Sequence, residues 1–315
     1  MTSRTIDIVH ITDCHDTGAV GGELAAIKVK RRYADRADHH DIATRLIEVA
    51  PAEEFNTIDV GAKFSELATS AVNPNRLVLA INAAPPSIPG GTGNNERRNF
   101  VLGRLKNGVV FGGTWGGHCL SYVKSEIAEL YELLDSNNGS QFRSLEVLPD
   151  ALLDFKADKI DTARLRLVDV AKEVPNVPRH SHAWTIDNFG NVKLFLNDDD
   201  KVRLRSLFEA KAKGTDGRRV APVKFAFGDR SVEFAPAANA QFEPASSQFA
   251  AAALAQKLFC IEIGTNVVSL TSSAKRWNTR GQFTDVEQIA TLRGEPHKPL
   301  GYTLPKIGAP VFFGA

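Results

Sequence analysis

A chain of 315 residues, 43% hydrophobic and 24% charged, is long enough to bury one large core or two ordinary ones. Its 38 Lys and Arg against 37 Asp and Glu leave a net charge of +1, so no global field draws it to nucleic acid or an anionic membrane. The three cysteines, Cys14, Cys119 and Cys260, are odd in number and far apart; they suggest neither a disulfide framework nor a zinc ribbon and fit a soluble protein of a reducing cytoplasm.

The opening "MTSRTIDIVHITDC" enters a strand-like run without the charged and long apolar regions of a signal peptide. No segment approaches the roughly 18 apolar residues of a membrane span, so no membrane partner is expected. The first strand is predicted to end in "TDCHDTGAVGG". Asp13 there can accept both hydroxyls of a ribose, join His10 and His15 around a metal, or simply end the strand in an Asx turn. A second His cluster to complete a metal set is missing, and no resident metal is expected.

Next, "FNTIDVGAKFSELATSAV" carries the three- and four-residue apolar spacing of a helix, as does "KSEIAELYELLDS" further on. Between them, "NRLVLAINAAPPSIPGGTGNN" and "GVVFGGTWGGH" read as strands that run into Gly, Pro and Asn clusters. This alternation predicts an α/β domain over residues 1–175, with ligands beyond the carboxyl ends of its strands. The loop "PPSIPGGTGNNERR" has neither the G-K-[ST] ending of a phosphate loop nor a G-x-G-x-x-G spacing. It leaves Arg97 and Arg98 as anion donors or as a solvated pair. In "GGTWGGH", Trp115 is either an aromatic face for a flat base or a core residue in a tight turn. Near the end, Lys275, Arg276 and Arg280 beside Trp277 make a patch too short for a nucleic-acid track.

From about residue 180, short alternating runs predict an all-β, barrel-like domain over 180–315, entered through the Pro-containing "KEVPNVPRHSH". An Ala-rich insertion at 235–256 has no assigned role. In "AWTIDNFGNVKLFL" two strand halves flank a turn: Gly190 suits a hairpin, while Asp187 and Asn191 on either side suit a ligand clasp.

In order along the chain, these segments resemble the S-adenosyl-L-methionine (SAM) hydroxide adenosyltransferase family, relatives of the fluorinase and chlorinase. "IVHITDCHD" is similar to the family's opening strand and "LTDFG" turn, and "VNPNRLVLAINAAPP…NNERRNFVL" to its "fPpGTVhlaVVDPGVG…eRR" segment. "NGVVFGGTWGGHCLSYV" resembles "fVgPDNGlLt", "QFRSLEVLPDALL" resembles "TFhGRDvFAP", and "TIDNFGNV" resembles the "iDrFGNl" that opens the C-terminal barrel.

The resemblance implies a homotrimer in which SAM, as substrate and with no cofactor, lies between the N-domain of one subunit and the C-domain of its neighbour. The implied reaction displaces L-methionine from the ribose C5′. Asp13 would hold the ribose hydroxyls, and Asp187 and Asn191 the methionine ammonium, with Phe189 packing nearby; Thr265 and Asn266 would lie near the base. Hydroxide-using members carry an Asp, an Arg and a His that orient and deprotonate water; here those positions hold Ala83, Arg97 and Arg143. Asn82 is placed to orient a nucleophile without acting as a base, and Ser144 stands where the fluorinase has a halide-contacting Ser. Arg97, Arg143 and Ser144 together read as an anion pocket. The expected activity is thus displacement by water or a small anion. The alternatives are a non-catalytic SAM or adenosine binder and an enzyme acting on another nucleoside.

Overall fold

The structure, a computed structural model, describes residues 4–13, 20–53, 55–83, 99–136, 142–186, 192–213, 223–227, 230–236, 258–261, 267–271 and 307–314. The chain separates into two compact units, Met1–Val177 and Pro178–Ala315.

The first unit is an α/β fold on a mixed seven-stranded sheet of order β2-β1-β3-β5-β4-β6-β7. Its strands are β1 (Arg4–Thr12), β2 (Ile42–Pro51), β3 (Leu77–Asn82), β4 (Val101–Leu105), β5 (Val110–Gly113), β6 (Ile127–Leu133) and β7 (Leu165–Leu167). Its helices are α1 (Val20–His39), α2 (Thr57–Ser70), the short α3 (Arg143–Glu146), α4 (Leu148–Lys156) and the short α5 (Val170–Glu173). β2, β1, β3 and β5 are mutually parallel, whereas β4 is antiparallel to both β5 and β6, and β7 to β6. Alternation along β1 and β3 divides the core in two. Val9, Ile11, Leu79 and Ile81 meet Val60, Phe64 and Ala68 of α2 on one face. Ile6, Ile8, Val78 and Ala80 meet Tyr33 and Ala37 of α1 and Leu148, Leu152 and Phe155 of α4 on the other. Burial of the larger apolar side chains, worth about 1.5–3 kcal/mol each, holds each helix layer to the sheet.

Both layers also have polar fastenings. Asn56 caps α2, its side chain accepting from the N–H groups of Ile58 and Asp59, a cap worth about 1 kcal/mol. α1 is tied to α4 by Arg32 to Asp150 at 2.5 Å and by Arg36 to Asp154, and His40 just past its end reaches Asp154 at 2.6 Å.

The stretch "KSEIAELYELLDS", whose spacing predicts a helix, is instead a short 3-10 turn followed by β6. Ile127 pairs with Leu105 and Glu129 with Arg104, so a bulge sits between them. The bulge puts Ile127 and Leu130 on the same face despite their spacing of three, while Leu133 falls on the opposite face. A bulged strand thereby imitates a helical period.

Among its described residues the second unit has seven strands in the order β14-β10-β11-β12-β13-β9-β8. They are β8 (His182–Ile186), β9 (Val192–Phe195), β10 (Val223–Phe227), β11 (Arg230–Pro236), β12 (Leu258–Ile261), β13 (Val267–Thr271) and β14 (Val311–Gly314). Across the two ends of that order, Ala183 donates to Ala309 O at 2.9 Å and Val311 to Ser181 O at 2.9 Å, and His182 bridges Pro310. A 16-residue helix following β9, α6 (Asp198–Lys213), departs from the all-β expectation for this unit. Its start is marked by Asn197, whose side chain accepts from Asp200 N at 2.7 Å. Of the described helices, none is long and apolar enough to cross a membrane.

Gly113 closes β5 with φ of 130°, and a Cβ there would stand 1.9 Å from Ile81 O. Gly113→Ala is therefore expected to cost about 3 kcal/mol in urea unfolding, whereas Val72→Ala, at a residue 91% exposed, stays within about 0.5 kcal/mol of wild type.

Candidate functional site

The strand order reverses at β1. The chain passes from β1 through α1 to β2 on one side, then through α2 to β3 on the other. The crevice beyond the carboxyl ends of β1 and β3, at this reversal, is where open α/β sheets receive ligands. Asp13 and Ala83 are the first residues past those two ends.

Hydrogen bonds link the neighbouring strands along this edge. Asp13 N donates to Asn82 O at 3.2 Å and Ala52 N to Thr12 O at 2.8 Å. The Asn82 amide donates to Thr12 Oγ1 at 3.1 Å, across the Thr12–Asn82 strand pair. Ala83 N donates to Thr114 Oγ1 at 2.8 Å, and Thr114 N donates to Ile81 O at 2.9 Å. Trp115 Nε1 donates to Asn99 O at 3.1 Å, Phe100 N to Ser136 Oγ at 2.7 Å, and Arg143 Nη1 to Ser136 O at 3.3 Å. Asp13, Asn82, Trp115 and Arg143, far apart in sequence, thus share one sheet edge.

They do not share one face of it. Asp13 lies on the α2 face: it is 5% exposed, its Oδ2 accepts from Phe55 N at 3.2 Å, and its charge acts on buried Cys119. Burial, reinforced by Asp13, pushes the Cys119 thiol up to about 12, which makes it an inert packing group rather than a nucleophile. Asn82 follows Val78 and Ala80 on the α1 face, and the Arg143 guanidinium stacks 4.8 Å from the ring centroid of Phe100 in the same core layer. Ser144 is half-buried beside it in α3.

Trp115 is 4% exposed and packs in the α2-side core, so within this unit the ring is a core residue and not a displayed platform. The flanking glycines serve the chain's own close approaches: Gly113 against Ile81, and Gly117, at φ of 59°, against Thr57. Among the described residues, the exposed aromatic rings at this edge are those of Phe55 and Phe142. Phe55 is 58% exposed and held at φ of 56°, a left-handed conformation costly for a bulky residue, with its N–H on Asp13. The sequence signal for this turn is Asn56 before an apolar helical run, a capping pattern.

Arg97, Asp187, Phe189, Asn191, Thr265 and Asn266 lie outside the described residues. On either side of 187–191, β8 and β9 are antiparallel neighbours, with Ile186 paired to Val192. The described residues contain no group of His, Cys, Asp and Glu side chains able to hold a metal.

No protein-family model and no curated protein matches the chain. Solved structures do. An uncharacterized conserved protein from Thermotoga maritima superimposes with a TM-score of 0.57 at 13% identity, over 98% of this chain and 100% of that one. A conserved hypothetical protein from Thermus thermophilus gives 0.52 at 12% identity, with the same coverage. These likenesses establish a shared fold.

Beneath the edge, His10 of β1 is fully buried, and burial lowers its pKa from the ordinary value of 6.5 to about 4. Between these values the unfolded chain holds the extra proton. Stability therefore rises with pH across the window and is lost as pH falls from 6.5 towards 4, by up to about 3 kcal/mol. His10→Gln is expected to flatten this limb in urea midpoints measured through the same range; an unchanged slope would show that other groups carry it.

Proposed function

We propose that the chain binds SAM and displaces L-methionine from the ribose C5′, with water or a small anion as nucleophile. The observation that carries the reading is Asp13: a buried carboxyl group at the point where the strand order reverses, at the position where the resembling family holds ribose hydroxyls. One of its oxygens accepts from Phe55 N, which restrains the orientation of the group. Asp187 and Asn191, between β8 and β9, hold the methionine ammonium in this reading, with Phe189 packing nearby and Thr265 and Asn266 towards the base.

The chemistry requires alignment more than acid or base. The C5′–S bond breaks with its electron pair going to sulfur, so the sulfonium charge is lost and methionine leaves as a neutral thioether. The new bond forms from the nucleophile to C5′; where that is water, its proton passes to solvent. A dry pocket that lines up nucleophile, C5′ and sulfur is what the protein must supply. Ala83, 2% exposed, offers no base where the hydroxide-using relatives have Asp. Arg97, Arg143 and Ser144 then act as donors to an anion. The assembly in this reading is a homotrimer with the second unit a barrel, a form favoured by the hydrogen bonds that join Ala183 to Ala309 and Val311 to Ser181. Ala83 also favours a second reading, a binder that holds SAM or adenosine without turnover.

Incubation with SAM alone, and with chloride, bromide or formate, followed by chromatography, is expected to show methionine together with adenosine or a 5′-substituted adenosine. Asp13→Ala is expected to lower kcat/KM about 100-fold, the cost of two charged hydrogen bonds at about 1.5 kcal/mol each. Binding of SAM with no methionine released under any of these conditions leaves the binder reading; no binding rejects both.

A further inference from the structure

The segment that joins β2 to α2 is fastened at both ends. On the sheet side, Ala52 N donates to Thr12 O at 2.8 Å. On the helix side, Glu53 N donates to Asp59 Oδ2 at 2.8 Å, and Asn56 N donates to Glu53 O at 3.1 Å while its side chain caps α2. Asp59, 1% exposed in the first turn of α2, is itself paired with Lys63. The Asn56 amide closes the turn by donating to Glu53 Oε2 at 2.7 Å. Phe55 sits inside this frame at φ of 56°, a conformation whose usual occupants are glycine and asparagine.

Neither the local backbone nor the core accounts for a phenylalanine there. The conformation is strained for a bulky side chain, and with the residue 58% exposed its burial does not offset the strain. Strain of this kind persists where the surroundings impose it, and it collects at functional sites. What the left-handed turn delivers to the crevice is a donor: Phe55 N–H reaches Asp13 Oδ2 at 3.2 Å. The sign of φ decides its direction. With Asn56 held by α2, a change of φ to the ordinary value of about −60° rotates the peptide plane that carries this N–H by about 120° and turns it away from Asp13.

We infer that Phe55 is a positioning residue for Asp13, kept in its left-handed conformation so that its peptide N–H sets the orientation of the carboxylate that receives the ribose. This rests on the reading of Asp13 as the ribose acceptor and deepens it by naming what holds that group ready. A donor fixed on one carboxylate oxygen restrains rotation about the Cβ–Cγ bond, so less freedom is lost when the hydroxyls arrive. Asp59 and Asn56 act one step further back, holding the turn from α2. In this role the backbone of Phe55 matters and the phenyl ring does not.

The test compares Phe55→Gly, which keeps the N–H and accepts φ above zero, with Phe55→Val, whose β-branched side chain resists that region. Calorimetric titration of SAM into the full chain is expected to show Phe55→Val binding about tenfold more weakly than wild type, and Phe55→Gly at least about fivefold more tightly than Phe55→Val. In an Asp13→Ala background the valine substitution is expected to change affinity by less than about twofold, because its effect runs through the carboxylate. Equal weakening by glycine and valine, no weakening by valine, or a valine effect that persists without Asp13 overturns the inference. A second arm needs no ligand: in nitrogen-15 NMR of the free chain the Phe55 amide proton is expected to move upfield in Asp13→Ala, and an unmoved signal overturns the inference by itself. Absence of SAM binding to wild type rejects the ribose reading, while the amide arm still decides whether Phe55 holds Asp13.

Discussion

The pairing of β1 with β3 is the constraint on which the rest of the site depends. Six consecutive pairs, from Asp7 with Leu77 to Thr12 with Asn82, lock two parallel strands whose carboxyl ends lie side by side where the strand order reverses. Right-handed crossovers taken in opposite directions put α1 and α2 on opposite faces of the sheet. The crevice is therefore a product of chain direction, and any side chain just past Thr12 or Asn82 is delivered to it. Asp13 is such a residue, held by its own backbone bond to Asn82 O and by Phe55 N on its carboxyl group.

The same alternation that makes two cores gives the edge two chemistries. On the α2 side stand a carboxyl acceptor, an exposed phenyl ring in a strained turn and a protonated thiol. On the α1 side stand an amide, a guanidinium resting on Phe100 and a neutral imidazole. In the proposed reading the ribose diol would be received on the α2 side; in-line displacement at C5′ would then require the nucleophile and the sulfur on opposite sides of that carbon.

Much of the first unit is legible in the sequence because its signals are local. β-branched runs ending at Asp13 and Asn82 mark the strands that frame the crevice, and the apolar spacing after Asn56 marks α2. β6 is illegible for a physical reason: the bulge opposite Arg104 and Leu105 depends on a partner strand, and it turns a period of two into an apparent three. Trp115 looks the same from sequence whether it serves the core or a ligand. The choice is made by Gly113 and Gly117 closing on Ile81 and Thr57, contacts between distant segments. The strain at Phe55 and the Tyr33–His10 contact are likewise tertiary facts with no sequence period to announce them.

Asp13 as the residue that receives the ribose of SAM is tested most directly by calorimetric titration of SAM into the wild-type chain and into Asp13→Asn. Wild type is expected to bind saturably with one site per chain, and Asp13→Asn to bind at least about tenfold more weakly, a loss of about 1.4 kcal/mol or more. Equal affinity in the two proteins, or no binding heat in either, would contradict that role.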